Sequence, residues 1–560
     1  MGIFGSKDKA RDKKYYGLKG TQLNIAIAVI AGIDFALFGY DQGVLGGLLT
    51  LPSFIETFPE INTNGLAAGS AELRQKSNIQ AITVGGYTLG CFFGAVATIW
   101  LGNLLGRRRT IFCGSFIMII GATIQCASYS LPQLIISRLI TGFGNGMNTS
   151  TVPTWQSETS KSHRRGQMVM IEGSLIVFGV MLSYWIDLGM SFTDIPGSPT
   201  RSVSWRFPIA FQIVLAIIIC CFVLGLPESP RWLVLKGQDD EALDVLCALS
   251  DLPPEDPKIK SEFQAVKDTV EEMSRGRFVD CFKMNRNRNL HRTALGYVNQ
   301  MFQQISGINI ITYYAPVIFE NSIGLSPFTS RLLAALNGTE YFIASWIAIF
   351  TIERFGRRQL MLFGATGQCL CMIVLTVTTQ AIYQERRDVG IGAAAMLFLF
   401  NTFFAIGWLG MTWLYPAEIT PLSIRAPANA ISTTANWIFN FMVVMVTPPA
   451  FANIANRTYL IFAVINFFMV PSVYFFFPET AYRSLEEMDE IFHKTTNVFN
   501  LVAAAKNHPH RYGKKGELLI NYEETEEYLA RRQSSAAPVS NGDSYTNQGK
   551  MNRGEKNEVV

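Results

Sequence analysis

Charged residues are scarce in this chain. Asp, Glu, Lys and Arg make up 16% of the 560 residues, against roughly a quarter in ordinary globular proteins. Nine stretches of 19 or more residues contain none of them. These stretches are 77–106, 110–137, 139–157, 207–227, 293–319, 359–384, 389–417, 426–456 and 458–478. The pattern excludes a disordered chain and a row of soluble domains, and the net charge of +4 does not indicate a nucleic-acid partner.

Cysteine and histidine show no pattern of a disulfide, metal or redox site. The chain has nine Cys and five His, and no two cysteines form a CxxC pair. Seven cysteines lie in or beside the uncharged stretches, which favours a role as small apolar filler. They are Cys91, Cys113, Cys126, Cys220, Cys221, Cys369 and Cys371. No P-loop is present either, so the sequence predicts no metal, no cofactor and no ATP-driven pump.

The uncharged stretches have the length of membrane spans, because a helix crosses about 30 Å of hydrocarbon with roughly 20 apolar residues. Three further segments have that length and also contain acids: 22–49 with Asp34 and Asp41, 168–188 with Glu172, and 331–352 with Glu340. The sequence therefore predicts an all-α membrane protein with twelve spans.

Basic residues alternate between loops. They crowd the N-terminal tail and every second loop after it, as at 107–109 and 357–358, so both termini are predicted to be cytoplasmic, with the protein in the plasma membrane. Asn456 begins the sequon Asn456-Arg457-Thr458 between spans 11 and 12, on the predicted outer side. It is a candidate glycosylation site, although a sequon alone is a weak signal.

Three motifs occur twice, about 250 to 260 residues apart. Gly106-Arg107-Arg108-Arg109 recurs as Gly356-Arg357-Arg358-Gln359, Glu158 with Arg165 recurs as Glu418 with Arg425, and Pro227-Glu228-Ser229 recurs as Pro478-Glu479-Thr480. The duplication predicts two six-helix halves that rock about a central site, which indicates a transporter rather than a channel, a receptor or an enzyme.

The repeat also sets the predicted domain boundaries. We expect a cytoplasmic tail at 1–21, a first six-helix bundle at 22–231, a cytoplasmic linker with short helices at 232–292 and a second bundle at 293–480. Residues 481–560 form a cytoplasmic tail that is predicted to be disordered toward its Ser-, Asn- and Gly-rich end.

Asp41 and Arg138 are predicted to lie at similar depth in the outer half of the first bundle. Asp41 stands about eight residues from the outer end of span 1 and Arg138 about five from that of span 4, so their depths agree within about 5 Å. An acid that alternates between pairing with Arg138 and binding a proton could couple proton movement to a conformational change. A permanent structural ion pair is the alternative, and Asp34, two turns away on the same face, is a second candidate acid.

Charges at the predicted cytoplasmic ends suggest a gate. Arg107, Glu158, Arg165, Glu353, Arg357, Glu418 and Arg425 are expected to form a salt-bridge network that closes the inner side between the halves. The alternative is simple snorkelling to the headgroups. Glu172 and Glu340 receive no role.

Amides and indoles gather near the middle of spans 7, 10 and 11. Amides both donate and accept without charge, and indoles stack on C–H faces, so the set suits a neutral polyhydroxyl ligand. Hydrogen bonding between helices is the alternative for any single amide. The residues are Gln303, Gln304, Asn309, Tyr313, Tyr314, Trp408, Trp413, Asn436 and Asn440.

These residues and motifs resemble the sugar porter branch of the major facilitator superfamily. The resemblance extends from about residue 22 to 492. In the first half the shared motifs are Phe38-Gly39-Tyr40-Asp41, Gly106-Arg107-Arg108-Arg109, Arg138 with Gly142, Gly144 and Gly146, and Pro227-Glu228-Ser229-Pro230-Arg231. In the second half they are Gln303-Gln304 through Asn309, and Pro478-Glu479-Thr480. The resemblance implies a twelve-helix fold and a proton-coupling pair of Asp41 and Arg138. It also implies sugar contacts at Gln303, Gln304, Asn309, Trp413 and Asn436, and Tyr314 beside them completes the predicted set.

Four positions depart from the hexose-transporter pattern. Gly173 and Tyr341 stand where a Gln and an Asn are usual, Leu409-Gly410 replaces Gly-Pro, and Asn103 replaces Asp. With Tyr184-Trp185-Ile186-Asp187 they resemble a fungal subgroup that contains monosaccharide/proton and glycerol/proton symporters.

The resulting prediction is proton-coupled uptake of a neutral monosaccharide, hexose or pentose, by a monomer in the lipid bilayer. A polyol/proton symporter of the glycerol type is the first alternative. A proton-independent facilitator and a transporter-like nutrient sensor are the others.

Overall fold

The structure is a computed structural model that describes residues 14–63, 65–67, 69–159, 165–383, 389–483, 485–495 and 497–509. Over these ranges the regular secondary structure is helical, without a strand. The described residues up to Ala481, together with Leu485–His508, form one compact unit.

Twelve long segments form the body of the protein, and we number them α1 to α12. They are α1 Gly20–Leu48, α2 Ala71–Leu105, α3 Arg107–Cys126, α4 Leu131–Thr159, α5 Arg165–Ser191, α6 Val203–Val223, α7 Asn289–Gln303 with Asn309–Val317, α8 Pro327–Phe355, α9 Arg357–Tyr383, α10 Gly390–Gly407 with Met411–Ile419, α11 Leu422–Ile454 and α12 Arg457–Phe476. We call α1 to α6 the N half and α7 to α12 the C half.

Ten of these segments are long and apolar enough to cross a membrane on length and composition. The other two, α4 and α7, differ for separate physical reasons. The polar residues of α4 include Arg138, Asn145 and Asn148, all buried against other helices. In α7 the regular helix is interrupted by π-helical turns at Gln304–Ile308 and Ile318–Ser322.

Shorter helices lie between and after the two halves. They are Pro230–Leu235, Asp239–Ser250 and Pro257–Arg275 between α6 and α7, and Leu485–Lys494 and Leu501–Asn507 after α12. The first is capped by Ser229, whose hydroxyl accepts a hydrogen bond from the backbone N–H of Trp232. Pro230 follows at the first helical position, where its missing N–H costs nothing.

Glycines bring α2 and α4 into backbone contact. A Cβ added at Gly142 would lie 2.1 Å from the carbonyl oxygen of Tyr87, and one at Gly146 would lie 2.1 Å from that of Cys91. From the other side, Gly90 and Gly94 face the carbonyls of Leu139 and Phe143 at 2.3 and 2.1 Å. Small residues at matching positions are how helices pack where lipid gives no hydrophobic drive.

The bundle has two ends. We call the end that holds Arg107 and Arg357 the basic face, and the other end, which holds Thr50 and Arg331, the opposite face. On the side of the opposite face, hydrogen bonds join the halves at three places: Arg331 to the carbonyl of Thr50 at 2.7 Å, the Tyr184 hydroxyl to the carbonyl of Thr312 at 2.7 Å, and the Trp185 indole to the Thr339 hydroxyl at 2.9 Å. The halves are therefore closed against each other on this side.

Candidate functional site

The N half contains a buried ion pair. Nη1 of Arg138 lies 3.3 Å from Oδ1 of Asp41, and neither side chain is exposed. The equal depths that the sequence indicated thus correspond to a contact between α1 and α4. Three polar atoms of the pair have no hydrogen-bond partner among the described residues: Oδ2 of Asp41 and Nε and Nη2 of Arg138. Each of them can therefore form a further hydrogen bond.

A tyrosine supports the guanidinium group of this pair. The Arg138 guanidinium lies 4.9 Å from the ring centre of Tyr87, a cation–π distance, and the Tyr87 hydroxyl accepts a hydrogen bond of 2.7 Å from Nδ2 of Asn145. Because Tyr87 and Asn145 are buried as well, Arg138 keeps a favourable contact even when its carboxylate partner is neutral.

A second polar cluster lies deeper in the N half. Nδ2 of Asn148 donates to Oδ1 of Asp34 at 2.7 Å and to the Ser115 hydroxyl at 2.9 Å, which joins α4, α1 and α3. Asp34, the second candidate acid of the sequence, therefore lies against neutral groups. It is not in the Asp41 ion pair.

In the C half four of the five predicted amides, all except Asn440, form one continuous hydrogen-bonded chain. Asn309 donates to Gln304 at 2.7 Å, Gln304 to Gln303 at 3.0 Å, and Asn436 to Gln303 at 3.1 Å. Asn436 also donates to Gln300 at 2.7 Å, and all five side chains are buried. The chain joins α7 to α11 and contains no charge.

Interruptions of two helices, α10 and α7, position the hydrogen-bonded chain of amides. Between Gly407 and Met411 the α10 helix is broken, and Nε2 of Gln303 donates to the carbonyls of Trp408 and Leu409 at 3.2 and 3.3 Å. The amide thus satisfies acceptors that a continuous helix would not leave open.

The interruption of α7 centres on Gly307. Its φ of 107° is a conformation that only glycine adopts without strain. Nδ2 of Asn466 in α12 donates to the carbonyl of Ser306 beside the break at 2.7 Å, and this hydrogen bond stabilises the interruption.

Aromatic residues lie on α7, α10 and α11, the helices that carry the amides or the carbonyls they bind. The hydroxyl of Tyr314 donates to the carbonyl of Val444 in α11 at 3.1 Å. Trp408 and Trp437 are fully buried, and their indole N–H groups have no partner among the described residues, while Trp413 is only half-buried.

Three of the four positions that depart from the hexose pattern lie at packed contacts, whereas Asn103 is exposed. A Cβ on Gly173 would meet Leu409 at 3.4 Å, and one on Gly410 would lie 2.0 Å from the sulfur of Met170. Tyr341 packs edge-on against Phe404. The space between α5 and α10 is therefore filled by apolar side chains rather than amides.

The duplicated motifs fold into two nearly identical clusters at the basic face. Arg107 pairs with Glu158 at 3.0 Å and Arg357 with Glu418 at 2.7 Å. The hydroxyls of Ser229 and Thr480 each donate to the corresponding glutamate at 2.6 Å.

The second glutamate of each motif binds backbone. Glu228 accepts from the N–H of Arg107 at 2.9 Å, and Glu479 accepts from that of Arg357 at 2.8 Å. Burial raises the pKa of Glu228, and its hydrogen bonds from backbone N–H groups and the nearby Arg108 charge act in the opposite direction.

Each of these two ion pairs joins helices of one half. Arg425, also predicted for the gate network, donates to the carbonyl of Thr420 within the C half at 3.1 Å. The side chains of Arg165 and Glu353 lie outside the described part of the structure. A link between the halves at this face thus stays a prediction.

The sequon asparagine is engaged in the fold. Asn456 is 9% exposed, and its Nδ2 donates to Oε1 of Gln380 at 2.8 Å. A glycan on this nitrogen requires that the side chain leave this position.

Three polar groups were not identified from the sequence. Gln300 extends the amide chain, and its signal was available, since it lies one helical turn before Gln303. Asp187 is buried beside Gly47, and Arg331 crosses to Thr50 between the halves. Both lie near span ends, where a charge is common and carries little information. Among the described residues no group of three His, Cys, Asp or Glu side chains could hold a metal ion.

Comparison with known proteins identifies the family of the chain. The family model described as "Sugar (and other) transporter" matches residues 25–492. "Sugar transporter STL1" of Saccharomyces cerevisiae is 40% identical over 486 residues, which are 86% of this chain and 83% of that protein. "MFS-type transporter oryC" of Aspergillus oryzae is 40% identical, over 86% of this chain and 88% of that protein.

Solved structures show the same fold. The proton:xylose symporter XylE bound to 6-bromo-6-deoxy-D-glucose superimposes with a TM-score of 0.70 at 24% identity, over 84% of this chain and all of that chain. The partially occluded inward-open form of XylE from E. coli gives a TM-score of 0.66 at 23% identity, over 81% and 100% of the two chains.

The family model and the two relatives named transporters, together with helices long enough to span a membrane, identify a multi-pass membrane transporter and not an enzyme. Its helices have the fold of the XylE structures, the major facilitator fold. The chain belongs to the sugar transporter family, and its relatives are fungal.

Proposed function

We propose that this protein takes up a neutral monosaccharide together with protons across the plasma membrane, by alternating access. The observation that supports the proposal most directly is a contrast in charge. The C half presents a chain of uncharged amides, whereas the N half contains an acid that can exchange a proton, Asp41, against a fixed cation, Arg138. The two tasks are thus placed in different halves.

The amide chain fits a ligand rich in hydroxyl groups. Each sugar hydroxyl both donates and accepts, and Gln303, Gln304, Asn309 and Asn436 offer both functions without countercharge. In the structure these amides bond one another. A sugar therefore has to exchange existing amide bonds for its own, a replacement with a small net cost because each bond is worth about 0.5–1.5 kcal/mol.

The proton step uses Asp41. While it is ionised, it holds Arg138 and ties α1 to α4. A proton on the carboxylate removes the Coulomb attraction, and Arg138 remains against the Tyr87 ring. Because the ionic tie between α1 and α4 is then absent, the N half can adopt the geometry that closes over substrate. Both termini face the cytoplasm in this scheme, so the opposite face is extracellular and is closed in the conformation described here.

The predicted cytoplasmic gate network is part of the same mechanism. We propose that the clusters of Arg107 with Glu158 and of Arg357 with Glu418 approach each other when the basic face closes. Arg165, Glu353 and Arg425 complete this gate network.

A polyol is the second candidate substrate. It is favoured by the apolar filling at Gly173 and Leu409, where Met170 occupies the space beside Gly410. Fewer amides near the site leave fewer partners for ring hydroxyls, which disfavours a pyranose relative to a shorter, linear ligand.

The test is uptake of radiolabelled glucose, xylose, galactose and glycerol by cells that lack their own carriers, with external pH recorded. We expect one substrate to enter with external alkalinisation that a protonophore abolishes. Asp41→Asn is expected to lose accumulation against a gradient, and Asp240→Asn, an exposed acid on the linker, serves as the matched control.

Three results would contradict the proposal. Uptake without proton movement identifies a proton-independent facilitator, and an unchanged rate in Asp41→Asn under an inward proton gradient removes this acid from coupling. Absence of uptake of all four compounds favours a sensor, and a protein named "High glucose sensor RGT2" of Saccharomyces cerevisiae is 31% identical over 86% of this chain and 62% of that protein.

A further inference from the structure

Asp34 lies in the middle of the first membrane helix. Fourteen residues separate it from Gly20 at one end of α1, and fourteen from Leu48 at the other. Its side chain is 1% exposed. A carboxylate at this depth costs several kcal/mol unless a cation or several hydrogen-bond donors compensate its charge.

The structure supplies little compensation of that kind. Oδ1 of Asp34 accepts one hydrogen bond, from Nδ2 of Asn148 at 2.7 Å, and Oδ2 has no partner among the described residues. This differs from Asp41, whose carboxylate lies 3.3 Å from a guanidinium nitrogen. The two acids of α1 thus occupy electrostatically different sites.

Asn148 has a matching vacancy in its hydrogen bonding. Its Nδ2 donates to Asp34 and to Ser115, but its Oδ1 is buried and lacks a donor among the described residues. The oxygen lies close against α3, where a Cβ on Gly114 would be 2.1 Å away. A proton on Oδ2 of Asp34 turns that atom into a donor, which is the group that Oδ1 of Asn148 lacks.

We propose that Asp34 is a second proton-binding site of the N half, occupied in this conformation and emptied at another stage of the transport cycle. The inference rests on the proposed proton coupling for its role in the cycle, but not for its occupancy. An asparagine would make the same neutral bonds permanently. An acid differs from it only in being able to release the proton.

The position of Asp34 relative to Asp41 supports a role in coupling. Seven residues separate them, which is two turns or about 10.5 Å along the same face of α1. On α4 the facing polar groups follow the same direction, from Arg138 through Asn145 to Asn148. Asp34 therefore lies on the side of Asp41 that is nearer the basic face.

Few ionisable groups on the helices packed against α1 come near Asp34. On α4 these groups are Arg138, paired with Asp41, and Glu158, paired with Arg107, each ten residues from Asn148. On α5 the group is Glu172, about one turn before Leu175, which packs on Gly32 of α1. The linker helix Asp239–Ser250 packs near the start of α1 and carries Asp239, Asp240, Glu241 and Asp244. The charges of α3 are Arg107, Arg108 and Arg109 at its start, and that of α6 is Arg206 near its start. None of these forms a hydrogen bond or ion pair with Asp34 in the described part of the structure.

The first experiment measures occupancy without transport. Infrared spectra of the purified protein at neutral pH are recorded for the wild type and for Asp34→Asn, and the carbonyl band of protonated carboxyl groups is compared. We expect the variant to lose a band of one carboxylic acid. An identical band in both proteins would mean that Asp34 is ionised, which overturns the proposal whatever the protein transports.

An exchange of the two side chains provides the matched control. In Asp34→Asn combined with Asn148→Asp the acid moves to α4 and the acid–amide pair is restored, so we expect the lost band to return. Asn148→Leu removes the partner of Asp34, and we expect it to shift the band in frequency. A spectrum of Asn148→Leu that matches the wild type would show that Asn148 does not hold the proton.

The second experiment tests release. Substrate uptake and proton uptake are measured together in liposomes, and we expect Asp34→Asn to keep substrate uptake with a lower ratio of protons to substrate. An unchanged ratio would show a proton that never leaves, and it would overturn the role in the cycle. If the wild type moves no protons, proton coupling itself fails, and the infrared comparison still decides whether Asp34 holds a proton.

Discussion

The two halves share a repeated motif at the basic face and differ in the membrane interior. Arg107, Glu158 and Ser229 have the same contacts as Arg357, Glu418 and Thr480, with hydroxyl-to-carboxylate distances of 2.6 Å in both. Inside the membrane the N half contains an ion pair and the C half a chain of amides. Duplication thus preserved the ends of the helices, while the interiors took separate tasks.

The packing differs in the same way. In the N half α2 and α4 approach to backbone contact through glycines. In the C half α7 and α10 are interrupted, and amide side chains of α7 and α12 satisfy the exposed carbonyls. The C half also has a close glycine contact, between Gly364 of α9 and Gly407 of α10. The difference in packing between the halves therefore lies in the interruptions of α7 and α10.

The largest effect is expected from unpairing the buried charge. Arg138→Leu leaves Asp41 without its cation, and removing one partner of a buried pair costs about 3–5 kcal/mol. Thermal unfolding of the purified protein, followed by tryptophan fluorescence, is expected to show a large fall of the midpoint. Arg457→Leu, at an exposed arginine of α12, is the control, and equal falls in the two variants would show that the pair is not specially important.

Close glycine packing in the N half comes next. Gly142→Ala places a methyl group 2.1 Å from the Tyr87 carbonyl, and overpacking of this kind costs about 1–3 kcal/mol. Gly189→Ala adds the same group where no atom lies within 4 Å, so no loss is expected there. Unfolding midpoints of both variants test the difference, and an unchanged Gly142→Ala would show that the helices separate easily.

The repeated motif should respond in both halves. Ser229→Ala and Thr480→Val each remove a hydrogen bond to a carboxylate, which is worth about 1.5–3 kcal/mol. Ser229→Ala also removes the helix cap on the N–H of Trp232, which is worth about 0.5–2 kcal/mol. We expect lower unfolding midpoints in both variants, with the larger fall in Ser229→Ala, and Ser472→Ala is a control whose hydroxyl donates within its own helix. A larger fall in Thr480→Val would mean that the halves are not equivalent even at the basic face.

The smallest effect is expected on substrate affinity. Asn436→Ala removes one link of the amide chain, and a neutral hydrogen bond of about 0.5–1.5 kcal/mol corresponds to a rise in KM of roughly twofold to tenfold. The maximum rate should change little. Asn453→Ala on the same helix is the control, since its amide donates to Pro449 near the helix end. Equal KM values in both variants would make the chain a structural feature only.

Much of the fold could be predicted from charge alone. Uncharged stretches locate nine of the twelve segments, and the repeated motifs place Arg107, Glu158, Arg357 and Glu418 at the same end of the helices. That Arg107 pairs with Glu158 and Arg357 with Glu418, each within one half, was not predicted. The contact of Asp41 with Arg138 follows from depth. These inferences succeed because a missing charge and a position along a helix can both be read from a one-dimensional pattern.

Rotation about the helix axis is harder to predict. A helix that is apolar all round has no polar stripe to orient it, so the pairing of Asp34 with Asn148 and the bond from Arg331 to Thr50 stay hidden. The interruptions of α7 and α10 were also not predicted, because in the sequence Gly307 and Gly410 cannot be distinguished from glycines that only allow close helix packing. Asn456 shows the limit of a short motif, since its sequon does not reveal that the side chain is buried.

The hydrogen bonds that join the halves at the opposite face use neutral acceptors: the carbonyl and hydroxyl of Thr50, the carbonyl of Thr312 and the hydroxyl of Thr339. Under the proposed topology this side faces the medium. A bulky competitor that cannot cross the membrane will then find no binding surface on molecules in this conformation. Inhibition by this competitor should be partial at first and should increase as turnover exposes the site to the outside. The rate at which inhibition develops therefore measures the rate of the opening step.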